Sequence, residues 1–237
     1  MSLLYYTILL SLFAGSAAFA GALYGRFENL KPNWSSCEIR HSIIALGGGA
    51  LLAAVALVLV PEGIERQPVW LSSLTFLLGA VFFMMIDRAL KKSGTNASQL
   101  MALLLDYIPE SIVLGAIIAM DFRKAVFLAV IIAVQNFPEG HNAYREIMKG
   151  KQHALCKHVL RVMGLIALSG PVFALIGFYG FEHDSMALGA LMTFCAGGIL
   201  YVVFRDIAPD AKVEKEWLPS LGAIFGFAIG MIGHALV

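Results

Sequence analysis

Apolar residues gather in eight long runs, at 3–25, 41–60, 69–86, 99–119, 125–145, 160–180, 185–204 and 217–237, separated by short polar connections. Each run is close to the twenty or so residues that a helix needs to cross the hydrocarbon core of a bilayer. The strands of a membrane barrel would alternate in segments of about ten residues instead. The pattern predicts an all-α polytopic membrane protein with eight transmembrane helices in a single transmembrane domain over 1–237. The longest connections, 26–40 and 146–159, leave no room for a soluble domain. The first run has no basic residue before Leu3 and is longer than the 7–15 apolar residues of a cleaved leader, so it is expected to remain as a span.

Composition agrees with the pattern. Apolar residues make up 59% and charged residues 14% of the 237, and the mean hydropathy is +0.79. A soluble domain carries about 25% charged side chains, so an ordinary cytosolic enzyme and a disordered chain are excluded. A net charge of +1 leaves no basic stripe for nucleic acid. Cys37, Cys156 and Cys195 have no paired spacing, which argues against a disulfide framework or a cysteine zinc site. Fourteen of the 17 Lys and Arg residues fall in or beside the odd-numbered connections. Only Arg66, Arg123 and Lys124 lie on the other side. By the positive-inside rule the odd connections are cytoplasmic and both termini outside. The compact loops suit a prokaryotic inner membrane.

Three acidic residues break the apolar runs near their middles: Asp106 and Glu110 in the fourth, and Glu139 in the fifth. An acid at the bilayer centre costs about 2.5–3.5 kcal/mol on insertion scales, and such residues face a cavity or partner and mark ion or proton paths. Spans 4 and 5 run in opposite directions, which puts Asp106-Tyr-Ile-Pro109-Glu110 and Gln135-Asn136-Phe-Pro138-Glu139 at one depth. Within each segment the outer polar residues are four apart, on one helix face. Asp106, Glu110, Gln135 and Glu139 can therefore converge. Each glutamate follows a proline, which frees the carbonyl four residues earlier and is expected to bend the helix. Irregular backbone at membrane depth is tolerated beside a cavity. Such broken helices mark transporter sites. Carboxylates with an amide and free carbonyls form a cation site. Oxygen donors suit Mg and Mn, while zinc and Fe(II) fit but usually draw a histidine.

These two segments resemble the paired His-Asn-x-Pro-Glu-Gly motifs of spans 4 and 5 in the ZIP family, the zinc- and iron-regulated-transporter-like permeases. The similarity extends to Leu46 through Pro61-Glu62 (span 2), Phe76-Leu-Leu-Gly-Ala through Asp87-Arg88 (span 3) and Phe194 through Arg205-Asp206 and Pro209-Asp210 (span 7). The resemblance implies a divalent-metal permease with eight helices in a 3+2+3 arrangement, the outer triplets related by an inverted repeat. Within the sequence, Pro61-Glu62 and Pro209-Asp210 each follow a glycine-rich run, Gly47 to Gly49 and Gly197-Gly198. This is the weak internal symmetry of secondary transporters.

The chain departs from the family pattern in ways that bear on the metal. Asp106 and Tyr107 stand where the family has His-Asn, and Gln135 where it has His. Ser169-Gly170-Pro171 replaces the glutamate before a proline in span 6. Val58 and Arg205 occupy other family histidine positions, and residues 87–98 contain no histidine. A single-metal site is expected. Loss of histidine hardens the site toward Mn(II), Fe(II) or Mg(II), with zinc the family's first guess. The metal is cargo and no resident cofactor is expected.

Tyr107, Asn136, His141 and Asn142 are expected to support the ligands. His141, two residues past Glu139, faces elsewhere on a regular helix and reads as structural or supporting, and Asn142 could orient Glu139. Glu62, Arg205, Asp206 and Asp210 are candidate pathway mouths, with Arg205 and Asp206 a candidate gating ion pair. His153, Cys156 and His158 read either as an exit relay for metal or as a solvated basic loop. Expected partners are membrane lipid, the dication and, in an assembly, a second copy of the chain. An enzyme is not expected, because no His-Glu-x-x-His or Gly-x-Ser-x-Gly occurs. A membrane-embedded metal-dependent hydrolase using the carboxylates as acid and base, and a metal sensor that does not transport, are the competing readings.

Overall fold

The computed structural model describes residues 3–27, 34–93, 97–148, 156–181, 184–211 and 217–236, and every regular element among them is helical. In chain order these are α1 (Leu3–Phe27), α2 (Trp34–Ala54), a π-helical segment (Val55–Leu59), α3 (Val60–Glu65), α4 (Val69–Ser93), α5 (Ala97–Met120), α6 (Phe122–Met148), α7 (Cys156–Gly180), α8 (Ser185–Val202), a second π-helical segment (Val203–Ile207), α9 (Ala208–Asp210) and α10 (Leu218–Ala235). Six helical stretches are long and apolar enough to cross a membrane: Leu3–Phe27, Glu38–Glu65, Val69–Lys92, Cys156–Gly180, Ser185–Ile207 and Leu218–Ala235. The protein is accordingly an integral membrane protein. Helices α5 and α6, at 24 and 27 residues, carry the polar segments.

Burial follows the logic of lipid as solvent. Large apolar side chains face outward, as on α4 (Leu77, Leu78, Met85) and α10 (Ile224, Phe225, Ile232). Glycine, alanine and the polar residues face inward, where small side chains let backbones approach. The most extensive helix contacts are α2 with α10, α1 with α6, α4 with α8, α1 with α7 and α5 with α7; α2 and α5 also pack on α6.

Reciprocal glycines fix four of these pairs. A methyl on Gly49 would strike the Ala223 carbonyl, and one on Gly226 would strike that of Leu46, across α2 and α10. Across α4 and α8, Gly79 abuts the Phe194 carbonyl and Gly197 that of Phe76. Across α1 and α6, Gly21 meets Phe137 and Gly140 meets Ala18. Across α5 and α7, Gly115 meets Ala174 and Gly177 meets Ile112. Helices this close bring Cα–H groups against facing carbonyls, a weak attraction that recurs at such interfaces.

The helix type changes away from the prolines of spans 4 and 5. Helices α5 and α6 each run through Pro109 and Pro138 as one α-helix. The departures lie at Val55–Leu59 and Val203–Ile207, immediately before Pro61 and Pro209. Proline has no N–H to return to the fourth residue back. The preceding residue bonds five back instead: the Val60 amide reaches the Val55 carbonyl, and the Ala208 amide that of Val203. Single π turns of this kind often mark functional places in helices.

Overpacking at these contacts should cost about 1–3 kcal/mol. Gly140→Ala and Gly226→Ala are each expected to lower the melting temperature of the purified protein. Gly164→Ala, whose added methyl meets only the Phe19 ring at 3.9 Å, should leave it unchanged or raise it through helix propensity. Equal melting temperatures for all three would remove backbone contact as the basis of the packing.

Candidate functional site

The four polar residues expected to converge meet at the contact of α5 with α6. The antiparallel register pairs them in order. Glu110 accepts a hydrogen bond from the Gln135 amide nitrogen, and one turn along, Asp106 and Glu139 lie within hydrogen-bonding reach of each other. Asp106 and Glu110 are 5% exposed and Gln135 is fully buried; Glu139 is half-buried. Each of the four keeps one buried oxygen with no hydrogen-bond partner: Asp106 Oδ1, Glu110 Oε2, Gln135 Oε1 and Glu139 Oε1. Buried polar atoms are rarely left so, and here four fall in one place. Among the described residues no three His, Cys, Asp or Glu side chains form a ready metal cage. The acids stand as cross-helix pairs.

The adjacent motif positions turn away from these oxygens. Tyr107 donates its hydroxyl to the Ser11 carbonyl on α1 at 2.8 Å, packed between Gly15 and Gly170. Asn136 donates to the Ala14 carbonyl, also on α1, at 3.0 Å. His141 is buried with its ring 5.4 Å from that of Tyr24. Supporting roles beside the ligands were expected for Tyr107 and Asn136, but both face α1; His141, expected to face elsewhere than Glu139, lies against α1 as well. One residue along a helix is a rotation of about 100°, so Tyr107 and Asn136 point to the flank when Asp106 and Gln135 point to the α5–α6 seam. Asn142 is half-buried, one turn past Glu139. Sequence reasoning did not single out Cys195. It is buried on α8 within electrostatic range of Glu110 and Asp106, and its only signal was its place in the run before Gly197.

The two ends of the molecule differ. Glu62 is 8% exposed. It takes Arg66 at 2.6 Å and also the ammonium of Lys124, joining α3 to α6. That hydrogen bond raises the Lys124 ammonium above its ordinary value, against the opposing effect of partial burial. Beside it, Gln67 donates to Thr193 at 2.9 Å, and Thr193 and Thr75 share a hydrogen bond at 2.6 Å. At the other end Lys91 bridges Asp87 and Asp206, both at 3.0 Å, and the Tyr201 hydroxyl donates to Asp87 at 3.0 Å. Arg205 lies 3.7 Å from Asp87 and 3.9 Å from Asp206. The expected Arg205–Asp206 pair is thus a loose part of an α4–α8 network centred on Lys91. The Asp210 side chain and His153 lie outside the described residues. Cys156 is buried with its sulfur 3.0 Å from the Tyr144 hydroxyl, whereas His158 is exposed.

Asn136→Ala removes the side-chain bond to α1 and should lower stability by about 1 kcal/mol, read as a drop in melting temperature. Tyr107→Phe should do the same. A variant of either residue with unchanged stability would remove these bonds as ties between α1 and the central pair.

No protein-family model matches the sequence, and no curated protein matches it.

Proposed function

We propose that the protein is a divalent-metal permease of the ZIP-like type, carrying a transition metal, with zinc the first candidate and Mn(II) or Fe(II) next, toward the cytoplasm. One observation carries the reading: the four unpartnered oxygens of Asp106, Glu110, Gln135 and Glu139 at the seam of α5 and α6. A dication supplies what those oxygens lack. A buried acceptor without a partner costs about 1–3 kcal/mol, and more when charged, and bound metal repays that cost. A metal entering between Asp106 and Glu139 displaces any proton they carry, as metal binding to acidic ligands generally does.

The transport reading also rests on the pairing of helices. Take α1, α2–α3 and α4 as one triplet and α7, α8–α9 and α10 as the other, with α5 exchanging with α6. The α2–α10 contact then maps onto α8–α4, and α1–α6 onto α7–α5. The glycine pairs map in the same way, and so do the π segments with Pro61-Glu62 and Pro209-Asp210. This favours eight spans in a 3+2+3 inverted repeat with α5 and α6 as the central pair, the plan of transporters that rock around a fixed midplane site. Both termini then face outward, and the Lys91 end, rich in basic residues, faces the cytoplasm.

Uptake of Zn, Mn, Fe, Co and Mg into proteoliposomes, compared side by side, tests the reading. Glu110→Ala and Glu139→Ala should each reduce flux by more than the 10- to 100-fold typical of losing a residue that merely supports a metal ligand, with insertion and expression intact. Retained uptake in both would reject the site. Asp106→His should move preference toward zinc, because imidazole is the softer donor. An unchanged metal ranking would show that Asp106 is not a ligand.

A further inference from the structure

At the end opposite Glu62, α4 and α8 leave a cavity of about 430 Å³ between them. Three of its lining residues, Arg88, Lys91 and Lys92, lie at i, i+3 and i+4 on α4 and so share one face. Tyr201 and Arg205 line it from α8 and the following π segment. The one carboxylate in the lining, Asp87, is already taken by Lys91 and by the Tyr201 hydroxyl, each at 3.0 Å. Among the described residues Arg88 and Lys92 make no ion pair, whereas Arg205 pairs loosely with Asp87 at 3.7 Å and Asp206 at 3.9 Å. The cavity therefore presents an excess of unengaged positive charge. It repels a dication and suits an anion, which separates it from the metal path.

The surroundings narrow the anion. Met84, one turn before Arg88, is part of the lining. From there an apolar surface continues along α4: Val81, Leu78 and Leu77 are 47%, 51% and 61% exposed. Phe204, next to Arg205, is 67% exposed. A free inorganic anion has no use for that stripe, whereas a ligand with an anionic head and a hydrocarbon tail matches both parts. Basic pockets between membrane helices on the cytoplasmic side hold the heads of anionic lipids in this way.

We propose that the α4–α8 cavity is a binding site for an anionic phospholipid, with Arg88, Lys92 and Arg205 around the phosphate and an acyl chain along α4. Tyr201 holds Asp87 against Lys91, so that this carboxylate does not face the phosphate. Occupancy would brace the α4–α8 pair at its cytoplasmic end. The inference stands independently of metal transport, and its test does not read transport.

The experiment is native mass spectrometry of the full chain in detergent, titrated with dioleoyl phosphatidylglycerol or dioleoyl phosphatidylcholine. The wild type should retain one phosphatidylglycerol in preference to phosphatidylcholine. Arg88→Gln/Lys92→Gln should weaken retention roughly thirtyfold, the effect of two lost cationic contacts. Arg123→Gln, which removes a cation from the opposite end, should leave it unchanged. Should the double variant misfold, the single variants Arg88→Gln and Lys92→Gln carry the test, each expected to weaken retention about fivefold. Equal retention of the two lipids, undiminished binding in the Arg88 and Lys92 variants, or an equal loss in Arg123→Gln would overturn the site. Displacement of the lipid by millimolar inorganic phosphate would show that the cavity reads a free anion, and would overturn the lipid assignment.

Discussion

Carboxylates are costly in hydrocarbon, and the arrangement of α5 and α6 follows from sheltering three of them. On the proposed eight-span reading Asp106, Glu110 and Glu139 cannot face lipid, so the two helices that carry them are wrapped by others. Helix α1 covers one flank of the pair and α7 packs on α5, while α2 packs on α6 and α8 on α5. The wrapping works only if backbones come very close, because a bulky interface would leave space around the acids for lipid. The reciprocal glycines supply that closeness. Gly21 and Gly140 set α1 against α6, and Gly115 and Gly177 set α7 against α5. Tyr107 and Asn136 then fasten α1 to the pair through its carbonyls. The small residues and the buried acids are two sides of one constraint.

Much of this was legible in the sequence. Apolar runs of about twenty residues specify spanning helices whatever their neighbours, so the helical class follows from length alone. The meeting of Asp106, Glu110, Gln135 and Glu139 followed from two facts, the spacing of four and the opposite direction of the helices; the pairing of Asp106 with Glu139 and of Glu110 with Gln135 came from the structure. What escaped was information carried by rotation and by partners. A polar residue beside a motif acid looks like part of the same site, yet about 100° of helix rotation sends Tyr107 and Asn136 to α1. Nothing local to Cys195 says that α8 brings its thiol near the acids. Proline carried its information only in part. Helices α5 and α6 stay α-helical through Pro109 and Pro138, while π turns form before Pro61 and Pro209. All four prolines lack the N–H, and local sequence does not say which will widen the turn before it.

The basic residues illustrate how one signal can carry two meanings. Arg88, Lys91, Lys92 and Arg205 are enough to set an orientation by their position alone. Their geometry adds a second layer: Lys91 is committed to Asp87 and Asp206, while Arg88 and Lys92 are without an acid among the described residues. An orientation signal needs only charge near a surface, but unengaged charge over a cavity with an apolar border has the shape of a binding site.

Under the proposed transport reading the two ends are not equivalent barriers. At the Glu62 end two cations close around a carboxylate whose side chain is 11% exposed: Arg66 from the end of α3 itself, and Lys124 from α6. Breaking the Lys124 contact leaves Glu62 with Arg66, so the cost falls short of the several kcal/mol of stranding a fully buried charge. Lys124 is 41% exposed, which moderates that cost. At the other end Lys91 and Asp206 are 46% and 44% exposed, where ion pairs contribute about 0–1 kcal/mol. Those pairs, moreover, stay within α4 and the π segment that continues α8, and α4 and α8 already touch through Gly79 and Gly197. A movement that separates α3 from α6 must break the Lys124–Glu62 contact, whereas one that carries α4 and α8 together with that π segment breaks none of the Lys91 network. On that reading the Lys124–Glu62 pair is the tie between α3 and α6, and a cation approaching Glu62 would compete directly with Lys124 for its carboxylate.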